Sequence, residues 1–153
     1  MFHSRKLNNR INRLHERALR IVYEDDKSSF EELLTKDGSF KVHERNIQTM
    51  AIELYKVAYG LSPKIMDLIF PLNDQMIYPS ENIFKTCNIK TVSWGSETLH
   101  HLGPKIWSIV PNDMKKFSLS KFTKKIRKWK PLLCPCRMCK TYVHGLGFVT
   151  ISS

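Results

Sequence analysis

Apolar residues Leu7, Ile11, Leu14, Ala18 and Ile21 recur at intervals of four and three, with Arg10, Arg13, Arg17 and Arg20 between them. That spacing predicts an amphipathic helix over residues 7–23, because one face of a 3.6-residue helix collects those positions. Ser28-Ser29-Phe30-Glu31-Glu32 follows, a serine with glutamate three residues on, which predicts a capped helix start and a short helix over 30–36. Asp37-Gly38 predicts its end, since glycine adopts the left-handed turn past a helix terminus. A third helix is predicted from residue 40, with Ile47, Met50, Ala51, Leu54, Val57, Ala58 and Leu61 at helical spacing and Gly60 closing it. Ser62-Pro63 predicts a restart, with serine as cap and proline at the first helical position, followed by Ile65, Met66, Ile69 and Phe70.

Residues 71–83 carry Pro71, Asn73, Asp74, Pro79, Ser80 and Asn82 and predict a loop or hinge. Beyond it, IKTVSW at 89–94 has strand-forming content and FKTC at 84–87 is a pairing candidate, so a minor β element is expected near 84–94. Gly103-Pro104 is read as opening a brief helix over 105–110 that Pro111 closes. Ser118 or Ser120 opens a last helix with Phe122, Ile126 and Trp129 on one side, ended by Pro131. The expected fold is therefore mainly α: a small helical bundle, a minor β element and a basic C-terminal helix and tail. Its expected division is a helical unit over 1–70, a hinge over 71–83 and a basic arm over 84–153.

Charge sharpens this picture. The net charge is +11, spread as +5 over residues 1–22, −5 over 23–81 and +11 over 82–153. Residues 115–140 hold ten Lys/Arg and no acid. A block of one sign sets up a field that attracts polyanions, nucleic acid first and anionic membrane second. The expected contact residues are Lys121, Lys124, Lys125, Arg127, Lys128 and Lys130, with Trp129 between lysines as a base-stacking candidate. Trp107, inside KIWSIV, reads as core, and His100-His101 as ordinary surface or core residues. The plainer reading of the lysines is a solvated face.

At 153 residues the chain suffices for one ordinary domain and is too short for a whole polymerase. It lacks any run of about 18 apolar residues, so no membrane span is expected. MFHSRKLNNR has no apolar segment of the secretory type. An intracellular setting, nucleus or cytoplasm, is expected, with reduced thiols. Cys134, Cys136 and Cys139, followed by His144, form a candidate zinc set of three thiolates and one imidazole. The Cys136-x2-Cys139 spacing suits a metal knuckle, the Cys134-x-Cys136 pair is tight, and Cys87 is an alternative fourth ligand. Three reduced thiols on a tail is the plainer reading.

Tyr23-Glu24-Asp25-Asp26 matches the Tyr-x-Asp-Asp box of reverse transcriptases. A polymerase box sits at a β-hairpin tip, between apolar strands and near a third carboxylate. Here an arginine-rich helix precedes it and a helix start, KSSFEELL, follows it. The tetrapeptide is therefore predicted to be a junction between helices, with Asp25 and Asp26 favouring the positive end of the next one. No nucleophile–base pair or carboxylate constellation elsewhere predicts an enzyme.

The strings INRLHERALRIVYEDDKSSFEELLTKDGSF, AIELYKVAYGLSPKIMDLIF, HLGPKIWSIVPNDMKKFSLSKFTKKIRKWKP and CPCRMCKTYVHGLGF resemble the C-terminal end of jockey-like non-LTR retrotransposon reverse transcriptases, RNA-directed DNA polymerases. The resemblance spans nearly the whole chain in order. It implies a fragment lying after the catalytic palm, with residues 7–23 next to the thumb and without the family's metal-binding aspartates or endonuclease. It implies a non-catalytic tail with the polymerase core of the parent element as a partner, and the basic run adds RNA or DNA as the other expected partner. Two alternatives stay open: a protein-interaction module in which the helix over 40–61 offers its apolar stripe to a partner, and a pseudogene-type fragment without a role of its own.

Overall fold

The computed structural model describes residues 5–73, 83–86, 98–131 and 134. It is mainly helical, with seven helices among the described residues: α1 (Arg5–Tyr23), α2 (Phe30–Asp37), α3 (Val42–Ala58), α4 (Ile65–Ile69), α5 (Leu99–Ile109), α6 (Asn112–Lys115) and α7 (Leu119–Ile126). No described helix is long and apolar enough to cross a membrane. The chain divides into two compact units, Met1–Asn46 and Ile47–Ser153. The division falls inside α3. Residues 74–82 of the expected 71–83 hinge lie outside the described residues.

In the first unit, α1 and α2 meet through Leu19, Leu33 and Leu34, with Tyr23 and Phe30 packed against them. The capping box forms as the sequence predicts. Ser29 Oγ accepts from the Glu32 amide at 3.3 Å, and Glu32 Oε2 accepts from the Ser29 amide at 2.7 Å. Each closes an amide that the first turn of a helix leaves without a backbone partner. At the other end Gly38 adopts φ 67°, and its N–H donates to the carbonyls of Leu34 and Thr35. Tyr23 Oη donates to Asp37 Oδ1 at 3.1 Å, which joins the two helix C-termini.

The second unit is built on α3. Ile47, Met50, Ala51, Leu54 and Val57 are all at most 1% exposed, so this part of the stripe that an interaction module would offer to a partner is buried within the unit. Leu102, Ile106 and Trp107 of α5, and Phe122 and Ile126 of α7, are buried in the same unit. The Phe122 ring stacks on Tyr55 at 4.4 Å and 25°. Tyr55 Oη donates to the Phe117 carbonyl at 2.5 Å, Tyr59 Oη to the Lys115 carbonyl at 2.6 Å, and Gln48 Nε2 to the Trp129 carbonyl at 2.8 Å. Residues 98–131 are thus folded onto α3 and are not an arm. The physical reason is that Phe122 and Ile126, one helical turn apart on α7, and Trp107 on α5 gain by leaving water, while Lys124 and Lys125 between the α7 anchors stay exposed and keep their hydration.

Two local expectations are corrected. α5 starts at Leu99, with Thr98 as its cap, and carries Pro104 inside it. Gly103-Pro104 is therefore not its start. A Cβ on Gly103 would lie 2.4 Å from Phe70 Cε1 and 3.3 Å from Leu54 Cδ2, so glycine serves close approach here. Pro63 lies ahead of α4, whose cap is Lys64, so it is not the first helical residue. Of the β element near 84–94, residues 84–86 are described, and they contribute one isolated antiparallel bridge, Leu72 to Phe84. Asn73 and Lys85 amides donate to the Ile83 and Pro71 carbonyls across it, both at 2.8 Å. Residues 87–94 lie outside the described residues.

Candidate nucleic-acid interface

α7 opens at Ser118, one of the two serines expected to start it, and ends at Ile126. Two turn hydrogen bonds, Lys128 N to Lys125 O and Trp129 N to Ile126 O, carry the chain on to Pro131. Phe122 and Ile126 fix one side of the helix in the core at 0% exposure. Lys121, Lys124 and Lys125 take the rest of its perimeter, and Arg127, Lys128 and Lys130 the turn after it, all exposed. Lys124 and Lys125 also stand in the last turn, where cations meet the negative end of the helix dipole. Lys125 Nζ lies 5.1 Å from the centre of the Phe117 ring, a contact that leaves the ammonium at the surface.

Trp129 is half-buried, and its backbone carbonyl accepts from Gln48 Nε2, which ties the turn after α7 to α3. Trp107 is 0% exposed and belongs to the core, as its apolar neighbours predict. The ring of Phe84 meets it edge-on at 5.7 Å.

One cation of the charge run is not at the surface. Lys115 is 1% exposed; its ammonium donates to Asn112 Oδ1 at 2.9 Å and stands 4.9 Å from the centre of the Trp107 ring. An amide oxygen and an aromatic face together solvate the charge that burial strips of water. Counting charges along the chain could not separate Lys115 from Lys116. The separation comes from where α6 turns, because Pro111 sets the start of that turn.

The Cys-His set is represented by Cys134 alone, which is half-buried. Cys136, Cys139 and His144 lie outside the described residues. Among the described residues no cluster of three or more His, Cys, Asp or Glu is placed to hold a metal ion. His100 and His101 are both half-buried in the first turn of α5.

Tyr23-Glu24-Asp25-Asp26 lies between helices, as its flanks predict. Tyr23 ends α1 and Glu24 takes φ 50°, the left-handed turn that closes the helix. The Asp25 carboxylate accepts from the Ser28 amide at 3.0 Å, the Ser28 hydroxyl at 2.7 Å and the Lys27 amide at 3.2 Å. These bonds, the Ser28 amide foremost, hold the Asp25 carboxyl below the ordinary aspartate range. Asp25 thus caps the turn through Ser28 and does not sit at the α2 N-terminus, where Ser29 and Glu32 already fill the role.

Comparison with protein-family models, with curated proteins and with solved structures finds no match for this chain.

Proposed function

We propose that this chain is a non-catalytic nucleic-acid-binding segment, derived from the C-terminal end of a retrotransposon reverse transcriptase, that binds RNA or DNA through α7 and the turn after it. The observation that carries the reading is the set of six exposed cations, Lys121, Lys124 and Lys125 on a helix anchored by buried Phe122 and Ile126, and Arg127, Lys128 and Lys130 on the turn after it. No acid follows Asp113 to neutralise them. Charges held on a rigid helix meet phosphates without ordering a flexible chain, and they read backbone, not sequence. Half-buried Trp129 supplies a stacking edge for one unpaired base.

Fluorescence anisotropy with a labelled single strand and a labelled duplex tests this. Lys125→Ala and Lys128→Ala each lower the magnitude of the log-affinity against log-salt slope by about one and weaken RNA and DNA alike. Unchanged affinity and slope in both variants would sink the proposal. Within the same reading, Cys134, Cys136, Cys139 and His144 hold zinc. Metal content by atomic emission is then one equivalent for the native chain and none for Cys139→Ser. The family origin is tested separately, by whether the genomic reading frame upstream encodes a strand-flanked acidic polymerase motif.

A further inference from the structure

The helix α1 buries the face its sequence does not advertise. Asn8 and Leu19 are 4% and 5% exposed, whereas Leu7, Leu14, Ile21 and Val22 are 42, 58, 78 and 70% exposed. Ala18 is exposed with them and Ile11 is half-buried. The five positions Leu7, Ile11, Leu14, Ala18 and Ile21 keep the alternating four-and-three spacing of a seam between two helices. A helix that faced only water would not need that seam.

The edge of the stripe away from Leu19 carries exposed Arg10, Arg13 and Arg17. Arg20 is engaged by Glu16 at 2.7 Å, but no ion pair to Arg10, Arg13 or Arg17 forms among the described residues. We infer that this face of α1 docks an acidic amphipathic helix of another protein, with Leu or Ile at seam spacing and Glu or Asp alongside. This docking face lies on α1 alone and uses none of the α7 cations.

Charge and area select that occupant. The four exposed side chains offer roughly 400 Å² of apolar surface, about half of what one partner commits to a stable interface. The remainder must come from the border of the stripe, and that border is arginine. A second copy of this chain would set arginines opposite arginines in an antiparallel pair, and opposite His15 and Val22 in a parallel one. Neither arrangement supplies a carboxylate. A bilayer surface would also meet arginine beside leucine, but it has no side chains to match a seam five positions long at four-and-three spacing, and vesicle binding separates the two.

The test uses the full chain and a labelled synthetic helix of about 21 residues, with Leu and Ile at seam positions and Glu beside them. The same helix with Lys for Glu is the comparison. The expected result is binding of the Glu helix only, weakened about tenfold or more by Leu14→Glu. Arg10→Glu combined with Arg17→Glu transfers preference to the Lys helix. These positions are exposed, so the variants keep the far-ultraviolet spectrum of the native chain. Equal binding of both helices, or of neither, overturns the inference. So does binding to phosphatidylcholine–phosphatidylserine vesicles without binding to the Glu helix. A doubled mass in light scattering that Leu14→Glu abolishes overturns it in favour of a second copy.

Discussion

Phe122→Ala decides whether the basic segment is part of the fold or hangs from it. The Phe122 side chain is 0% exposed and stacked on Tyr55 at 4.4 Å. Truncating a fully buried phenylalanine costs about 3–5 kcal/mol, from lost transfer energy and the cavity left behind. The ring stack accounts for about 0.5–1.5 kcal/mol beyond the area term. Against a total stability of about 5–15 kcal/mol for a domain, that is about a fifth or more. With a urea dependence of about 2 kcal/mol per molar, the midpoint falls by about 2 M. Urea unfolding followed by tryptophan fluorescence and far-ultraviolet dichroism measures it. Phe122→Leu conserves most of the volume and costs below about 1.5 kcal/mol, which keeps a folded variant in the series. Lys125→Ala, at an exposed position, stays within about 0.5 kcal/mol of the native chain. If Phe122→Ala unfolds at the same urea concentration as Lys125→Ala, α7 is not held by α3 and the argument fails.

Gly103→Ala gains up to about 1 kcal/mol of helix propensity. It also places a methyl 2.4 Å from the Phe70 ring, and overpacking of that kind costs about 1–3 kcal/mol. A net loss in thermal unfolding is expected, and a higher melting temperature would refute the close packing of α5 on Phe70. In Ser28→Ala the Asp25 carboxyl moves up toward its ordinary range but keeps part of its depression, because the Ser28 amide remains; carbon-detected titration by nuclear magnetic resonance reads the change. Since that carboxyl is depressed in the folded state, its contribution is present above the ordinary aspartate range and lost as pH falls from there through the lowered folded value. His15 meets the Phe30 ring edge-on at 5.7 Å, and burial, then Arg45, hold its imidazole below the ordinary value of 6.5. Its neutral form is favoured by folding, so stability is full above 6.5 and falls as pH drops from there toward the lowered folded value. His15→Gln flattens that part of the urea-midpoint profile, and an unchanged profile would refute the assignment.

Local chemistry settled most of the helices before any tertiary contact was known. The capping box of Ser29 and Glu32, Gly38 beyond α2, Pro111 after α5 and Ser118 before α7 act within a few residues of themselves, so their neighbours suffice to read them. The exposed cations of the candidate interface were legible for the same reason, since a lysine flanked by other lysines on α7 has nothing to bury it. Which apolar stripe becomes core was not legible. The stripes of α1 and α3 have similar periodicity, yet Leu54 is 0% exposed and Ile21 is 78% exposed. Periodicity reports that a helix has an apolar face, while burial depends on which other helix reaches that face. Gly103 and Lys115 escaped for a related reason. One answers to Phe70 across the packed interior and the other to the ring of Trp107. The sequence by itself determined where helices start, stop and carry charge, because those are short-range energies. The tertiary structure alone decided which faces meet, because the gain from burial belongs to a pair of surfaces and neither surface contains it alone.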